Sequence, residues 1–391
     1  MPNFPGNIKS KLPSSGTTIF AVMSALAAKH NAINLSQGFP DFEAPEELIS
    51  LVNQYMRKGM NQYAPMLGIL PLREALAQKA EELYGISYHP ESEINITSGA
   101  TQAIYTAITT VVREGDEVIV FEPAYDCYVP AIELAGGIPV YITLQSPTFK
   151  IDWQEVRKVV NRKTRLIILN TPQNPAGSVL TAEDMKELAR IVDGTQIVIV
   201  SDEVYEHVIF DGLRHESVMR YPVLAERSFV VFSFGKTYHT TGWKMGYCFA
   251  PANLMTEFRK VHQFVVFTSN TPIQYALADF IKNKNYLELP TFYQQKRDLF
   301  LRLIDGCGFN YVPASGSYFQ CVDYSGISSE KDMDFATRLT RDFGVASIPV
   351  SAFYHQGTDH KILRFCFAKK TETLERAAEK LLNVRSAMSL G

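Results

Sequence analysis

Two early stretches, residues 45–59 (PEELISLVNQYMRKG) and 70–85 (LPLREALAQKAEELYG), space apolar residues three and four apart, open near a proline and close at Gly59 and Gly85. That spacing gathers the apolar side chains on one helix face. Proline fits the first helical turn and glycine ends it, so both stretches predict helices. The pattern then changes to short β-branched runs without polar interruption: DEVIVFEP, TRLIILNTP, QIVIVSDE and SFVVFSFG. Continuous apolar runs of that length predict strands covered on both faces. Between the second and third of them lies TAEDMKELARIVDG, with a threonine start and a glycine stop. It predicts a helix, and the resulting β-α-β order requires a mostly parallel sheet. Past about residue 285 the texture changes to a polar helix (PTFYQQKRDLFLRLIDGCG), a strand (YFQCVDY), a helix (KDMDFATRLTRDFG), a strand (KILRFCFAK) and a terminal helix. The expected fold class is therefore α/β, with a mostly parallel central sheet flanked by helices and a smaller α+β unit. Residues 1–45 form an N-terminal segment at the entrance to the active site and contributing to the smaller unit, 46–285 the large domain and 286–391 the small one.

Composition narrows the partners. The 391 residues carry 46% hydrophobic content and a net charge of -3, enough apolar mass for a large core and no basic stripe for nucleic acid. The start, MPNFPGNIKSKLPSSG, has no apolar signal region, and no uncharged apolar stretch approaches the roughly 18 to 20 residues of a membrane span. Five cysteines without a C-x-x-C pair argue against a disulfide framework or a thiolate zinc site. A cytoplasmic chain acting on small molecules is expected. His207 and His239 form no metal-binding pattern and are assigned to packing or supporting hydrogen bonds, and no metal is expected.

The chemistry lies at the strand ends, where open α/β sheets bind ligands. Tyr125 follows VIVFEP, Asn174 follows LIILN, Asp202 and Tyr205 follow VIVS, and Ser233 and Lys236 end VVFSFGK. The tripeptide GKT is not a phosphate-binding P-loop, because that motif needs a glycine where Val230 stands within a strand. A lone lysine at a strand end ordinarily snorkels to water. Beside Asp202, Lys236 instead suits a Schiff-base nucleophile, with the acid held against a pyridinium nitrogen. In TSGATQAI, Gly99, Ala100 and Thr101 open a helix whose free amides and positive end favour a phosphate, with Ser233 and Lys244 closing the cup. An ordinary capped helix would read the same way. Tyr125 could be core. Arg364 interrupts an apolar strand and needs an anion, either a carboxylate within the chain or a ligand.

These motifs together, LSQGFPDF, NQYAPMLGILPLREA, TSGATQAI, NTPQNPAG, SDEVYEH, SFGKTYHTTGWKMGY and LRFCFAKK, resemble the class I aminotransferases, fold-type I enzymes dependent on pyridoxal 5′-phosphate. The resemblance spans nearly the whole chain and favours the branch of methionine and kynurenine aminotransferases. It implies that Lys236 holds the cofactor covalently, Asp202 pairs with its ring nitrogen, and Asn174 and Tyr205 bond its ring hydroxyl. Tyr125 would stack on the ring, and Gly99, Ala100, Thr101, Ser233 and Lys244 would bind the phosphate. Many class I members have arginine where Lys244 stands; this branch shares the lysine. Arg364 would bind the substrate α-carboxylate, assisted by Asn174 and the backbone at Gly38. Tyr63 matches the family tyrosine that reaches the phosphate of the neighbouring subunit, which implies a homodimer with shared active sites. With no second arginine placed for a side-chain carboxylate, and with Tyr63, Tyr125, Phe353 and Tyr354 as aromatic lining, methionine is the expected amino donor. Phenylalanine, glutamine, kynurenine and histidine follow it. The competing expectations are β-elimination from cysteine S-conjugates, kynurenine transamination, and a cofactor-binding sensor without catalysis. The sensor would need a DNA-binding domain ahead of it.

Overall fold

The structure, a computed structural model, describes residues 2–388. Its twelve strands are β1 (Ile33–Asn34), β2 (Ile94–Thr97), β3 (Glu117–Glu122), β4 (Ile138–Thr143), β5 (Thr164–Asn170), β6 (Val198–Asp202), β7 (Ser228–Ser233), β8 (Gly246–Phe249), β9 (Phe319–Asp323), β10 (Val345–Ala346), β11 (Ile348–Pro349) and β12 (Ile362–Cys366). Seven of them form the central sheet in the order β2-β8-β7-β6-β5-β3-β4. Pairing is parallel from β7 across to β4 and antiparallel on both sides of β8. The apolar runs are continuous because both faces are covered. Val118 and Val120 of β3 pack on one side with Ile104 and Ile108 of the helix Ala100–Val111, and Ile119 and Phe121 pack on the other. Each such side chain contributes about 1.5–3 kcal/mol of transfer free energy when fully buried.

The helix signals operate as local chemistry requires. Leu70–Tyr84 ends on Gly85 at φ 71°, a left-handed conformation that glycine adopts without strain. Ala182–Val192 starts in a capping box between Thr181 and Asp184, which satisfies two orphan amides. Several elements escaped the sequence pattern. The helix Ile19–Lys29 precedes the expected first helix and is capped by Thr18. The edge strand β4 is only partly buried and so lacks a continuous apolar run. Strand β8 runs antiparallel to β7 because residues 234–245 between them hold only two short turns, Phe234–Thr237 and Thr241–Trp243. A parallel return needs a long crossover, usually a helix.

The second sheet, β11-β12-β9, is antiparallel and places Arg364 opposite Cys321 and Ile348. Beside it, β1 pairs in parallel with β10, which ties the segment after the first helix to the C-terminal unit. Residues 36–39 therefore run between the two sheets on their way to the helix Glu46–Arg57. In the central sheet the register sets Asn170 level with Asp202, and Asp202 level with Val231. The carboxyl ends of β5, β6 and β7 form one rim on which polar side chains converge.

Candidate active site

The rim borders a concave pocket of about 120 Å³. One end is the N-terminus of the helix Ala100–Val111. Gly99 sits there at φ 82°, and the helix turns away from it with no side-chain cap. The first-turn amides of Ala100 and Thr101 lack intrahelical acceptors and carry the positive end of the helix dipole. Lys244, held in a left-handed conformation at φ 54°, brings its amine next to Gly99, where an added Cβ would lie 3.5 Å from Nζ. Across the rim, Gly246 passes so close that a Cβ there would lie 2.9 Å from the Ala100 nitrogen and 2.8 Å from the Phe232 oxygen. Only glycine permits that approach. Ser233, at the end of β7, lines the same end. Free amides, a lysine and a hydroxyl make a seat for a multiply charged anion.

The middle of the pocket holds Lys236 and Asp202. Asp202 is 4% exposed; Tyr128 donates to its Oδ2 at 2.6 Å, and the Val204 amide lies 3.3 Å from Oδ1. Burial dominates these hydrogen bonds and pushes the carboxyl from 3.8 up to about 6. Burial likewise brings the Lys236 amine down from 10.5 to about 8. Lys236 Nζ donates to the Tyr318 hydroxyl at 3.0 Å and to the Gly38 carbonyl at 3.3 Å. Tyr205 is buried beside it, with the lysine amine 5.4 Å from its ring centre. Tyr125 lines the same pocket, its phenol pushed up by burial. Burial also holds the Tyr205 phenol above its ordinary value, so both rings stay neutral donors.

Arg364 is fully buried and answers the question its sequence position raised. Nη1 donates to Asn174 Oδ1 at 2.7 Å and Nη2 to the Ser36 carbonyl at 2.7 Å, while Nε has no partner among the described residues. Among the described residues no carboxylate pairs with it, which removes the intramolecular alternative. Its guanidinium lies 3.9 Å from the Phe319 ring centre, with Phe20 and Phe353 at 5.3 and 5.5 Å. Planar donors held open by aromatic rings suit a carboxylate.

Gly99, Ala100, Thr101, Tyr125, Asn174, Asp202, Tyr205, Ser233, Lys236 and Lys244 thus line one pocket. Gly38 meets it through its carbonyl, which is already engaged by Lys236 and Tyr318. Tyr63 lies apart: it is 82% exposed, edge-on to Phe267 at 5.5 Å, and does not line the pocket of its own chain. Sequence reasoning passed over Tyr128, Tyr318, Phe319 and Asn170, whose Nδ2 donates to the Asp202 carbonyl and whose Oδ1 receives the Asn174 amide. Asn170 ends the run LIILN and was open to the rule that polar residues follow strands. His207 stacks on Tyr286, and His239 shares a hydrogen bond with Tyr293, so both serve packing.

An open α/β sheet with a lysine, a buried acid and an anion seat at its carboxyl rim defines a class of group-transfer enzymes. The family of aminotransferases of class I and II matches residues 30–381, and the chain belongs to it. It is 51% identical to the methionine aminotransferase of Escherichia coli, over 97% of this chain and 99% of that one. It is 36% identical to the kynurenine–oxoglutarate transaminase of Dictyostelium discoideum, over 96% of each. Among solved structures, an Escherichia coli protein identified as a methionine aminotransferase superposes with a TM-score of 0.95, covering 97% of this chain and 100% of that one. The N-succinyldiaminopimelate aminotransferase of Mycobacterium tuberculosis, 35% identical, superposes with 0.93, with coverage of 97% and 100%. The protein is an aminotransferase of the fold-type I architecture.

Proposed function

We propose that this aminotransferase works with pyridoxal 5′-phosphate and moves the amino group of methionine, or of another unbranched or aromatic amino acid, to a 2-oxo acid. The observation that carries the reading is the opposition of Lys236 and Asp202 across one pocket whose far end is an anion seat. The residues lining the pocket are of the kinds that the cofactor's groups require. The Ala100 and Thr101 amides, Ser233 and Lys244 would hold its phosphate, Tyr125 would lie against its ring, and Asp202 would face its nitrogen. When bound, the cofactor supplies an electrophilic carbonyl and an electron-withdrawing ring.

The chain's own groups do the rest. Lys236, brought down to about 8, keeps on the order of a tenth of its amine neutral at pH 7, ready to act as nucleophile and then as base. Its Nζ takes the proton from the substrate α-carbon and returns one on the opposite half of the cycle. Asp202, with its oxygens fixed by Tyr128 and Val204, favours a cation in front of it. Asn174 anchors Arg364 through Oδ1, and its Nδ2, with no hydrogen-bond partner among the described residues, is available to a ring hydroxyl. Arg364 grips the α-carboxylate. Phe20, with its ring centre 6.3 Å from that of Tyr125 and 5.8 Å from that of Phe353, joins them in aromatic faces that suit a polarisable thioether.

A homodimer with shared sites agrees with the exposure of Tyr63 at 82% and Phe264 at 86%, side chains that a partner surface would cover. A cytoplasmic setting agrees with the cysteines being unpaired thiols. The decisive test pairs absorbance with rate. Purified protein given pyridoxal phosphate should absorb near the visible edge and transaminate, and Lys236→Ala should lose both. A fully active Lys236→Ala protein refutes the assignment. In a panel of methionine, phenylalanine, glutamine and aspartate, aspartate turning over fastest refutes the aromatic pocket.

A further inference from the structure

Residues 36–39 cross between the two sheets with every carbonyl engaged. Arg364 donates to Ser36, Lys369 to Gln37 and Phe39, and Tyr318 and Lys236 to Gly38. Gly38 is pressed against the β9 rings so tightly that a Cβ would come within 2.7 Å of Phe319. Its carbonyl is thereby a fixed acceptor. Tyr318 is fully buried, and burial holds its phenol well above the ordinary value, so its one proton stays and goes to the Gly38 oxygen at 2.6 Å. The phenol oxygen is left as an acceptor, and Lys236 Nζ donates to it at 3.0 Å. The Tyr205 ring stands edge-on to that of Tyr318, with centres 5.0 Å apart.

We propose that Tyr318 is a positioning residue for the reacting amine. With the Gly38 carbonyl it receives Lys236 whenever the lysine is released, occupies two of its N–H bonds, and leaves the third position on nitrogen to the pocket. That third position is a lone pair when Lys236 is the base and the transferred proton afterwards. In the transfer the substrate Cα–H bond breaks, an N–H bond forms, and the electron pair stays with the substrate and cofactor. The two acceptors favour the protonated lysine at that moment and keep it from rotating away with its proton. The inference rests on Lys236 being the reacting amine. The charged and titratable groups around that amine are Asp202, Lys244, Arg364, Cys366, Tyr205 and Tyr318.

The experiment uses full-length holoenzyme exposed to amino donor without acceptor, so that the cofactor carries the amino group and Lys236 is free. Labelling by acetic anhydride across pH, read at Lys236 by peptide mass spectrometry, gives its titration midpoint. Tyr318→Phe removes one acceptor of the ammonium, so the midpoint falls by about one pH unit. Turnover falls by about 10- to 100-fold with KM nearly constant, and the isotope effect on an α-deuterated donor rises. Tyr293→Phe removes a hydroxyl from the same aromatic cluster without touching Lys236, and leaves the midpoint in place. An unshifted or raised midpoint in Tyr318→Phe, or an equal shift in Tyr293→Phe, overturns the proposal. Should Tyr318→Phe not fold, 3-fluorotyrosine at 318 keeps the hydroxyl and reports the lysine titration through its fluorine shift. That inflection disappears in Lys236→Met, and its persistence there overturns the proposal. Failure of the underlying reading is separate, since it shows as activity in Lys236→Ala.

Discussion

Asp202 offers the sharpest link between stability and function. Its carboxyl is buried, accepts from Tyr128 and Val204, and among the described residues forms no ion pair. Its pKa rises from 3.8 unfolded to about 6 folded, roughly two units, so folding with the carboxylate ionised costs about 3 kcal/mol. Because the folded value is the raised one, the cost is absent below the unfolded pKa, where both states hold the proton. It grows as pH climbs from 3.8 to 6 and is constant above. Asp202→Asn keeps the shape without the charge. The cofactor-free variant should therefore be more stable than the parent by up to about 3 kcal/mol at pH 8, and equal to it near pH 4. Denaturant unfolding followed by circular dichroism at both pH values measures the difference. Saturating pyridoxal phosphate should reverse the ranking, because a cation facing the carboxylate stabilises only the parent, by mass action. A variant no more stable than the parent at pH 8, or a difference that ignores pH, refutes the reasoning.

The remaining predictions follow from the same geometry. Arg364→Lys exchanges a planar fork for a point charge, and kcat/KM should fall about 10- to 100-fold for every amino acid donor while cofactor absorbance is retained. Tyr128→Phe removes the 2.6 Å hydrogen bond that favours ionised Asp202. Its carboxyl moves further up, and pyridoxal phosphate titration should show about tenfold weaker binding. Gly99→Ala places a Cβ at φ 82° and 3.3 Å from Lys244 Cε, so it should cost about 1 kcal/mol or more in stability and weaken inorganic phosphate binding, read by calorimetry.

Much of the site was legible because parallel strands announce themselves. A run such as VVFSFGK is apolar while both faces are covered, and its first polar residues mark the rim where ligands bind. Lys236, Asp202 and Asn174 follow from that rule before any likeness is invoked. Asn170 obeys it too and was passed over for the more conspicuous NTPQNPAG. Tyr128 and Tyr318 were not legible in the same way, since a buried tyrosine that packs and one that bonds a catalytic group have the same sequence signature. A signal existed for Tyr128, which stands three residues after Tyr125 and meets its ring edge-on with centres 5.9 Å apart. No periodicity could bring Tyr318 to Gly38 across 280 positions, because that contact depends on how the two sheets meet.

The charges buried here share one property. Asp202 is pushed up, Lys236 and Arg364 are held below their ordinary values, and burial is the leading cause for each. Each is thus displaced toward its neutral form by burial, which the mutual attraction of Asp202 and Lys236 offsets only in part. Arg364 shows it most directly, with one guanidinium nitrogen unpartnered among the described residues and the other two on an amide and a carbonyl. A cationic ring, an electrophilic carbon and a carboxylate would complement these three groups, and under the proposed function an α-amino acid bound beside pyridoxal phosphate would bring them all. An amine without a carboxylate would leave Arg364 buried and unpaired, a penalty of several kcal/mol that no aromatic wall offsets. Selectivity for amino acids then arises from the cost of an incomplete ligand more than from the strength of any single contact.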